Sequence, residues 1–164
     1  MKLPLVKLIG IVLVVSLACG LPSQSQANVN ISGAACQRYG GYGGSPDLLA
    51  DISGLYNSGQ FGAYAVCGVP HSPLAATATS FMLYVDGDNW LFQANPYSSA
   101  QCIVYSYDYN GTFLGSTSQI SSSSVQHFDM LLSLPAAQVP YWAYTSVFCS
   151  LPPTGLLRGV TVLQ

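Results

Sequence analysis

Few residues in this chain are equipped for chemistry. Its 164 residues include six acidic side chains, all aspartate, and two histidines, His71 and His127. His127 and Asp129 lie two apart, so on a strand they share a face, opposite Phe128 and Met130. A hydrolytic Ser-His-Asp system also needs a serine within hydrogen-bond reach. Serine is abundant, Ser72 beside His71 included, but there is no GxSxG elbow. The plainer reading is two polar residues on a solvated strand face. Glycoside hydrolysis needs two carboxyl groups at a set separation. Asp86 with Asp88 and Asp108 with Asp129 are the formal pairs, and most of these aspartates fall in turn-like sequence. Asp86-Gly87-Asp88-Asn89 also offers oxygens to calcium, yet it is shorter than an EF-hand loop and reads as a hairpin turn. The glycine loop Arg38–Ser45 contains no GxGxxG leading into a helix. No catalytic residue and no cofactor emerge, and calcium near Asp86 and Asp88 stays a minor alternative.

The cysteines carry more information. Met1–Gly20 begins with Lys2 and Lys7 and runs apolar from Leu8 to Ala18, the pattern of a secretory signal peptide. The run is too short to span a bilayer. Ser25-Gln26-Ala27 places small residues ahead of a cut after Ala27, leaving one domain over residues 28–164. Cys19 raises a lipidated N-terminus as an alternative, but Ser16-Leu17-Ala18-Cys19 lacks the aliphatic residue expected three positions before it. Four cysteines remain, Cys36, Cys67, Cys102 and Cys149, and an even count in an exported chain implies disulfides. Three pairings satisfy that count. Cys36–Cys67 with Cys102–Cys149 is favoured, because each then joins segments able to be neighbouring strands. On the loop-entropy model each bridge contributes roughly 3.5–4 kcal/mol. There is no CxxC and no paired His/Cys spacing, so the pattern does not suggest a metal site.

Removing the leader leaves Arg38 and Arg158 against six aspartates, a balance of −4. That excludes a basic nucleic-acid footprint. So few charges give weak protection against association, which suits a surface-attached or self-associating protein.

The elements that must position these residues read as short strands. Gln101–Leu114 is the clearest stretch. Cys102, Val104, Ser106 and Asp108 alternate with Ile103, Tyr105, Tyr107 and Tyr109. Asn110-Gly111 then predicts a two-residue type I′ hairpin turn. Asn110-Gly111-Thr112 is also a glycosylation sequon, as is Asn30-Ile31-Ser32, but the turn accounts for the former and bare sequons are common. Further strands are predicted at Asn28–Ala35, Phe61–Val69, Ser80–Val85, Trp90–Ala94, Val125–Leu134, Val139–Cys149 and Leu156–Leu163. Leu48–Ile52 reads as a helical turn or an irregular lead into a strand, and Gly54–Gly59 as a turn. Eight or nine short strands with almost no helical periodicity indicate an all-β, antiparallel β-sandwich, with a jelly roll as one form of it.

An early cysteine, the segment Gly54-Leu55-Tyr56-Asn57-Ser58 before a strand carrying Cys67, a strand with Cys102, and Tyr144–Cys149 followed by Leu151-Pro152-Pro153 form a pattern. It resembles a loose group of small, uncharacterised exported bacterial proteins with four cysteines. The chain departs from the group at Cys67-Gly68, where Cys-Pro is usual. The resemblance supports the favoured pairing and implies no activity.

If Cys102 bonds Cys149 across adjacent strands, Val104, Thr145 and Val147 share the disulfide's face. Tyr105, Tyr107, Tyr109, Trp142, Tyr144 and Phe148 then fall on the other. Burial of six large rings favours an aromatic core. The tendency of disulfides to be buried favours an exposed aromatic platform, a surface that fits sugar rings or partner proteins. The expectation that follows is an exported, non-enzymatic module, secreted, periplasmic or on the cell surface. It would bind a glycan or cell-surface partner through Tyr105, Tyr107, Tyr109, Trp142 and Tyr144. A structural subunit of an extracellular assembly is the alternative, with Leu156–Leu163 as an unprotected edge. A hydrolase built on His127 and Asp129 is the third.

Overall fold

The computed structural model describes residues 28–40, 48–70, 78–91 and 98–163. The leader, most of the Arg38–Ser45 glycine loop, His71 and Ser72 lie outside them. Eleven strands and two short 3-10 turns make up the described structure. In chain order the strands are β1 (Val29–Ser32), β2 (Gln37–Arg38), β3 (Leu48–Asp51), β4 (Gly54–Asn57), β5 (Ala63–Val69) and β6 (Ser80–Asp88). There follow β7 (Gln101–Tyr107), β8 (Phe113–Ile120), β9 (His127–Pro135), β10 (Tyr144–Leu151) and β11 (Leu156–Leu163). One sheet has the order β3-β4-β11-β6-β9, with β1 also paired to β11; the other has the order β2-β5-β10-β7-β8. Every pairing is antiparallel. Strands β4, β6, β9 and β11 against β5, β7, β8 and β10 give the double Greek key of a jelly roll.

The two inner faces are unlike. The first sheet contributes bulk: Phe81, Leu83, Val85, Phe128, Met130, Leu132 and Leu134 are all buried. The second contributes small side chains: Ala63, Ala65, Cys67, Cys102, Val104, Val147 and Cys149. Large residues packed on small ones fill the space between the sheets at interior density. The aliphatic residues of the first sheet therefore occupy the volume an aromatic core would have needed. Both favoured disulfides form, Cys36–Cys67 and Cys102–Cys149. They sit on this inner face, with all four cysteines buried.

Several local expectations are corrected. Asp86-Gly87-Asp88-Asn89 is not a tight turn, because β6 runs straight through Asp88; of the strand expected to return over Trp90–Ala94, Trp90 and Leu91 are not strand and the rest lies outside the described residues. Gly87 belongs there for a packing reason: a Cβ would stand 2.3 Å from the Phe128 ring and from the Leu156 carbonyl. Asn89 is buried, with its side chain bonded to the Ser122 and Val125 carbonyls. Gly54–Asn57 is a strand rather than a turn, and Leu48–Asp51 is its partner rather than a helical turn. The first strand stops at Ser32, whose side chain caps the 3-10 turn Gly33–Ala35. The strand expected from Val139 begins only at Tyr144, after a 3-10 turn and a bend. Leu156–Leu163 is not an edge: it pairs with β1 and β4 on one side and β6 on the other.

The hairpin also differs. Its loop is Asp108–Thr112, and of Asn110 and Gly111 only Gly111 takes positive φ, at 82°. The Asp108 carboxylate accepts from the Asn110 and Thr112 amides at 2.8 and 2.7 Å. That side-chain turn competes successfully with a two-residue type I′ turn.

Candidate functional site

The outer face of the second sheet carries the aromatic residues. Because Cys102 stands directly opposite Cys149, the next residues on each strand, Ile103 and Phe148, form an outward pair. Outward pairs repeat at Tyr105–Ser146 and Tyr107–Tyr144. On β5, Val66 faces Phe148, and Gly68 faces Ser146. Cys102, Val104, Val147 and Cys149 are all 0% exposed, so the disulfide side is the core and the aromatic side faces solvent.

Two sets of rings rise from this face. Tyr105 and Tyr107 stack at 6.2 Å with 26° between planes, and Phe113 meets the edge of Tyr107 at 5.9 Å. On the other side Phe148 stacks on Tyr64 at 5.4 Å and receives Tyr39 edge-on at 5.3 Å. Between them the small residues Ser146 and Gly68 leave a trench. Tyr39, Val66, Tyr105, Tyr107, Ser146 and Phe148 line it, and its volume is about 380 Å³. That lies at the lower end of the size range of ligand sites. The trench presents ring faces, the Ser146 hydroxyl and tyrosine hydroxyls; no charged side chain lines it.

Of the five expected residues, two line the trench and three lie outside its lining. Tyr105 and Tyr107 line the trench. Tyr144 is opposite Tyr107 and 66% exposed. Tyr109 lies in the Asp108–Thr112 loop, 69% exposed, and meets the edge of Trp142 at 5.9 Å. They form a second aromatic pair at the end of the sheet where Tyr107 and Tyr144 sit. Tyr39, Tyr64, Val66 and Ser146 went unnoticed in the sequence. For Tyr64 and Val66 a signal existed: counting in twos from outside Cys67 puts both on the tyrosine face. Tyr39 follows a two-residue strand and precedes glycines, so no periodicity marks it.

The outer face of the other sheet gathers the charges. Asp88, almost fully buried, accepts from Arg158 Nη2 at 2.7 Å and Nε at 3.0 Å, and His127 Nδ1 lies 3.4 Å from its other oxygen. Asp86 is directly opposite Asp129. Burial, then the Asp129 charge, raises the Asp86 pKa above the ordinary aspartate value, although His127 works against this. His127 and Asp129 thus share a face as expected, but His127 turns to Asp88. Asp108 is committed to its own loop on the other sheet and is not brought to Asp129. The turn on which a calcium site would have rested is a strand. Among the described residues no group of three or more His, Cys, Asp or Glu is arranged to hold a metal. No described helix is long and apolar enough to cross a membrane.

No protein-family model and no curated protein sequence matches the chain. Among solved structures it is similar to a xylan-binding module, CBM15, with TM-score 0.49 and 11% identity over 83% of this chain and 95% of that one. It is also similar to the enzymatically active domain of bacteriophage CBA120 tailspike protein 4, with TM-score 0.39 and 9% identity over 83% of this chain. A third likeness is to an Arthrobacter globiformis T6 isomalto-dextranase complexed with panose, with TM-score 0.40 and 10% identity over 82% of this chain. The matched region covers only 18% and 23% of those two larger chains.

Proposed function

We propose that this protein is an exported, non-enzymatic carbohydrate-binding module whose ligand lies in the aromatic trench of the second sheet. The observation that carries this reading is the pairing of ring faces with hydroxyls around a shallow, uncharged depression on a rigid, disulfide-backed sheet. Sugar rings have apolar faces that lie on aromatic planes and rims of hydroxyls that need polar partners. Tyrosine supplies both from one side chain and loses little rotamer freedom on binding. The trench is preformed, since strands position its walls and both bridges lie beneath it. Export through the Met1–Ala27 leader accounts for the disulfides.

The test is single substitution of Tyr105, Tyr107 and Tyr144 by alanine, with retardation in gels containing soluble polysaccharides and thermal unfolding measured in parallel. Tyr105→Ala and Tyr107→Ala are expected to weaken binding at least about tenfold, as hot-spot truncations do, while the fold remains intact. Unfolding of these variants, rather than loss of binding, would show the rings to be structural.

A second reading, self-association, has one specific observation behind it. Strand β8 forms one edge of the second sheet, holds no charged residue, and exposes Phe113 and Ile120. Such an edge is a template for pairing with another chain. Light scattering against concentration, without glycan, tests it; a monomer at all concentrations rejects it.

A further inference from the structure

We infer that the trench selects uncharged glycans and excludes acidic ones, those carrying uronate or sulfate groups. This rests on the reading of the trench as a glycan site and adds the class of ligand. The basis is a census of cations together with their placement. The whole chain has four lysines and arginines. Lys2 and Lys7 are in the leader segment. Arg158 is bound to Asp88 on the outer face of the opposite sheet. Arg38 stands opposite Ala65, whose side chain is buried on the inner side, whereas its neighbour Gln37 stands opposite the trench residue Val66. Segments 41–47, 71–77 and 92–97 contain no lysine or arginine at all. Whatever their conformation, they bring neither to the trench.

Recognition of a carboxylate or sulfate depends on charge-assisted hydrogen bonds, usually from arginine or lysine. None lines the trench, and residues 28–164 carry two arginines against six aspartates, a net negative charge. A polyanion is therefore repelled before contact and unpaired on contact. A neutral sugar needs only ring faces and neutral hydrogen-bonding groups, which Tyr39, Tyr105, Tyr107 and Ser146 provide.

Gly68 makes the idea testable by gain of function. It stands opposite Ser146 beside the trench, and a Cβ there meets no atom within 4 Å. Gly68→Arg introduces a cation at an open position of the site, and Gly68→Gln is the control of similar length without charge. The measurement is retardation at pH 7.5. The panel pairs neutral polysaccharides (xylan, β-glucan, galactomannan, dextran) with polygalacturonate, alginate and chondroitin sulfate. The expected result is that the wild type is retarded by at least one neutral polymer and by no acidic one. Gly68→Arg should then bind polygalacturonate or alginate at least tenfold more tightly than Gly68→Gln does. Wild-type retardation by an acidic polymer, abolished by Tyr105→Ala, would overturn the selectivity while leaving the glycan site in place. Equal behaviour of the two Gly68 variants toward the acidic polymers would overturn the role assigned to missing charge. Failure of the wild type on every polymer would overturn the glycan reading and this inference with it.

Discussion

Phe148 and Cys149 are consecutive residues, yet Cys149 is wholly inside the sandwich while Phe148 forms part of a solvent-facing aromatic wall. The alternation of a strand makes that division, and the Cys102–Cys149 bridge pins its register. A slip of one residue would put the aromatic residues into a core already filled by the opposite sheet.

Removing either bridge should therefore cost stability. The bridged residues are separated by 31 and 47 positions, and the chain-entropy model gives roughly 3.5–4 kcal/mol for each bridge. Urea titration of the Cys36→Ser/Cys67→Ser and Cys102→Ser/Cys149→Ser double variants measures it. The first variant should also bind glycan more weakly under conditions where it remains folded. Its edge strand β2 has only two residues, and Tyr39 of the trench follows directly.

Asn57 should be among the most sensitive polar positions. It is fully buried, and its amide donates to the carbonyls of Phe61, Leu151 and Pro152 at 2.8, 3.1 and 2.9 Å. It ties the β4–β5 turn to the β10–β11 turn. Asn57→Ala leaves buried carbonyls without a donor and should cost about 2–4 kcal/mol. Asn57→Asp should cost more, since it aims an acceptor at three acceptors. Denaturant midpoints of the two variants check the order.

The Asp86–Asp129 pair predicts a pH dependence of defined sign. Asp86 is raised by burial first and by Asp129 second, so the folded state holds its proton more tightly than the unfolded chain does. This contribution is full below the unfolded value of about 3.9 and is lost as pH rises through the raised folded value. Asp129→Asn removes the repulsion and should stabilise the protein by about 0.2–1 kcal/mol above pH 6, with little effect near pH 3. Thermal unfolding midpoints of the variant and wild type across that range give the comparison.

Asp108 predicts the opposite slope. The Thr112 amide chiefly holds its carboxyl below the usual range; desolvation opposes this, and the Thr112 side chain and the Asn110 and Gly111 amides add to the lowering. Its stabilising effect is present above the unfolded value and disappears as pH falls through the lower folded one. Asp108→Ala should flatten that acid limb of the stability profile. Gly111→Ala, at φ 82°, should cost about 1–2 kcal/mol at any pH. Both should also loosen Tyr109, which a fall in its ring contact with Trp142, followed by tryptophan fluorescence, would report.

The sheet class, the disulfide pairing and the two faces of β7, β9 and β10 were legible because each depends on period-two alternation and on cysteine parity. The end of β6 was not. Asp86-Gly87-Asp88-Asn89 has turn composition, but Arg158 neutralises Asp88 from 70 residues away and Phe128 fills the place of a side chain at Gly87. Nothing local announces either partner. The trench was half legible for the same reason. Tyr105 and Tyr107 advertise themselves in one strand, whereas Tyr39 is brought to them by the Cys36–Cys67 bridge, the two-residue pairing of β2 with β5 and the bond its amide donates to the Tyr64 carbonyl at 2.8 Å.

Strand β11 is last in sequence and central in space: it is the seam between β1 and β4 on one side and β6 on the other. Until Leu156–Leu163 has emerged, the first sheet exists only as separate fragments, each with an unpaired edge and an uncovered apolar face. Closure of the sandwich is thereby deferred until Leu156–Leu163 is available to pair. If the chain crosses a membrane unfolded, as the export proposed above requires, that order of events leaves folding and oxidation to the far side.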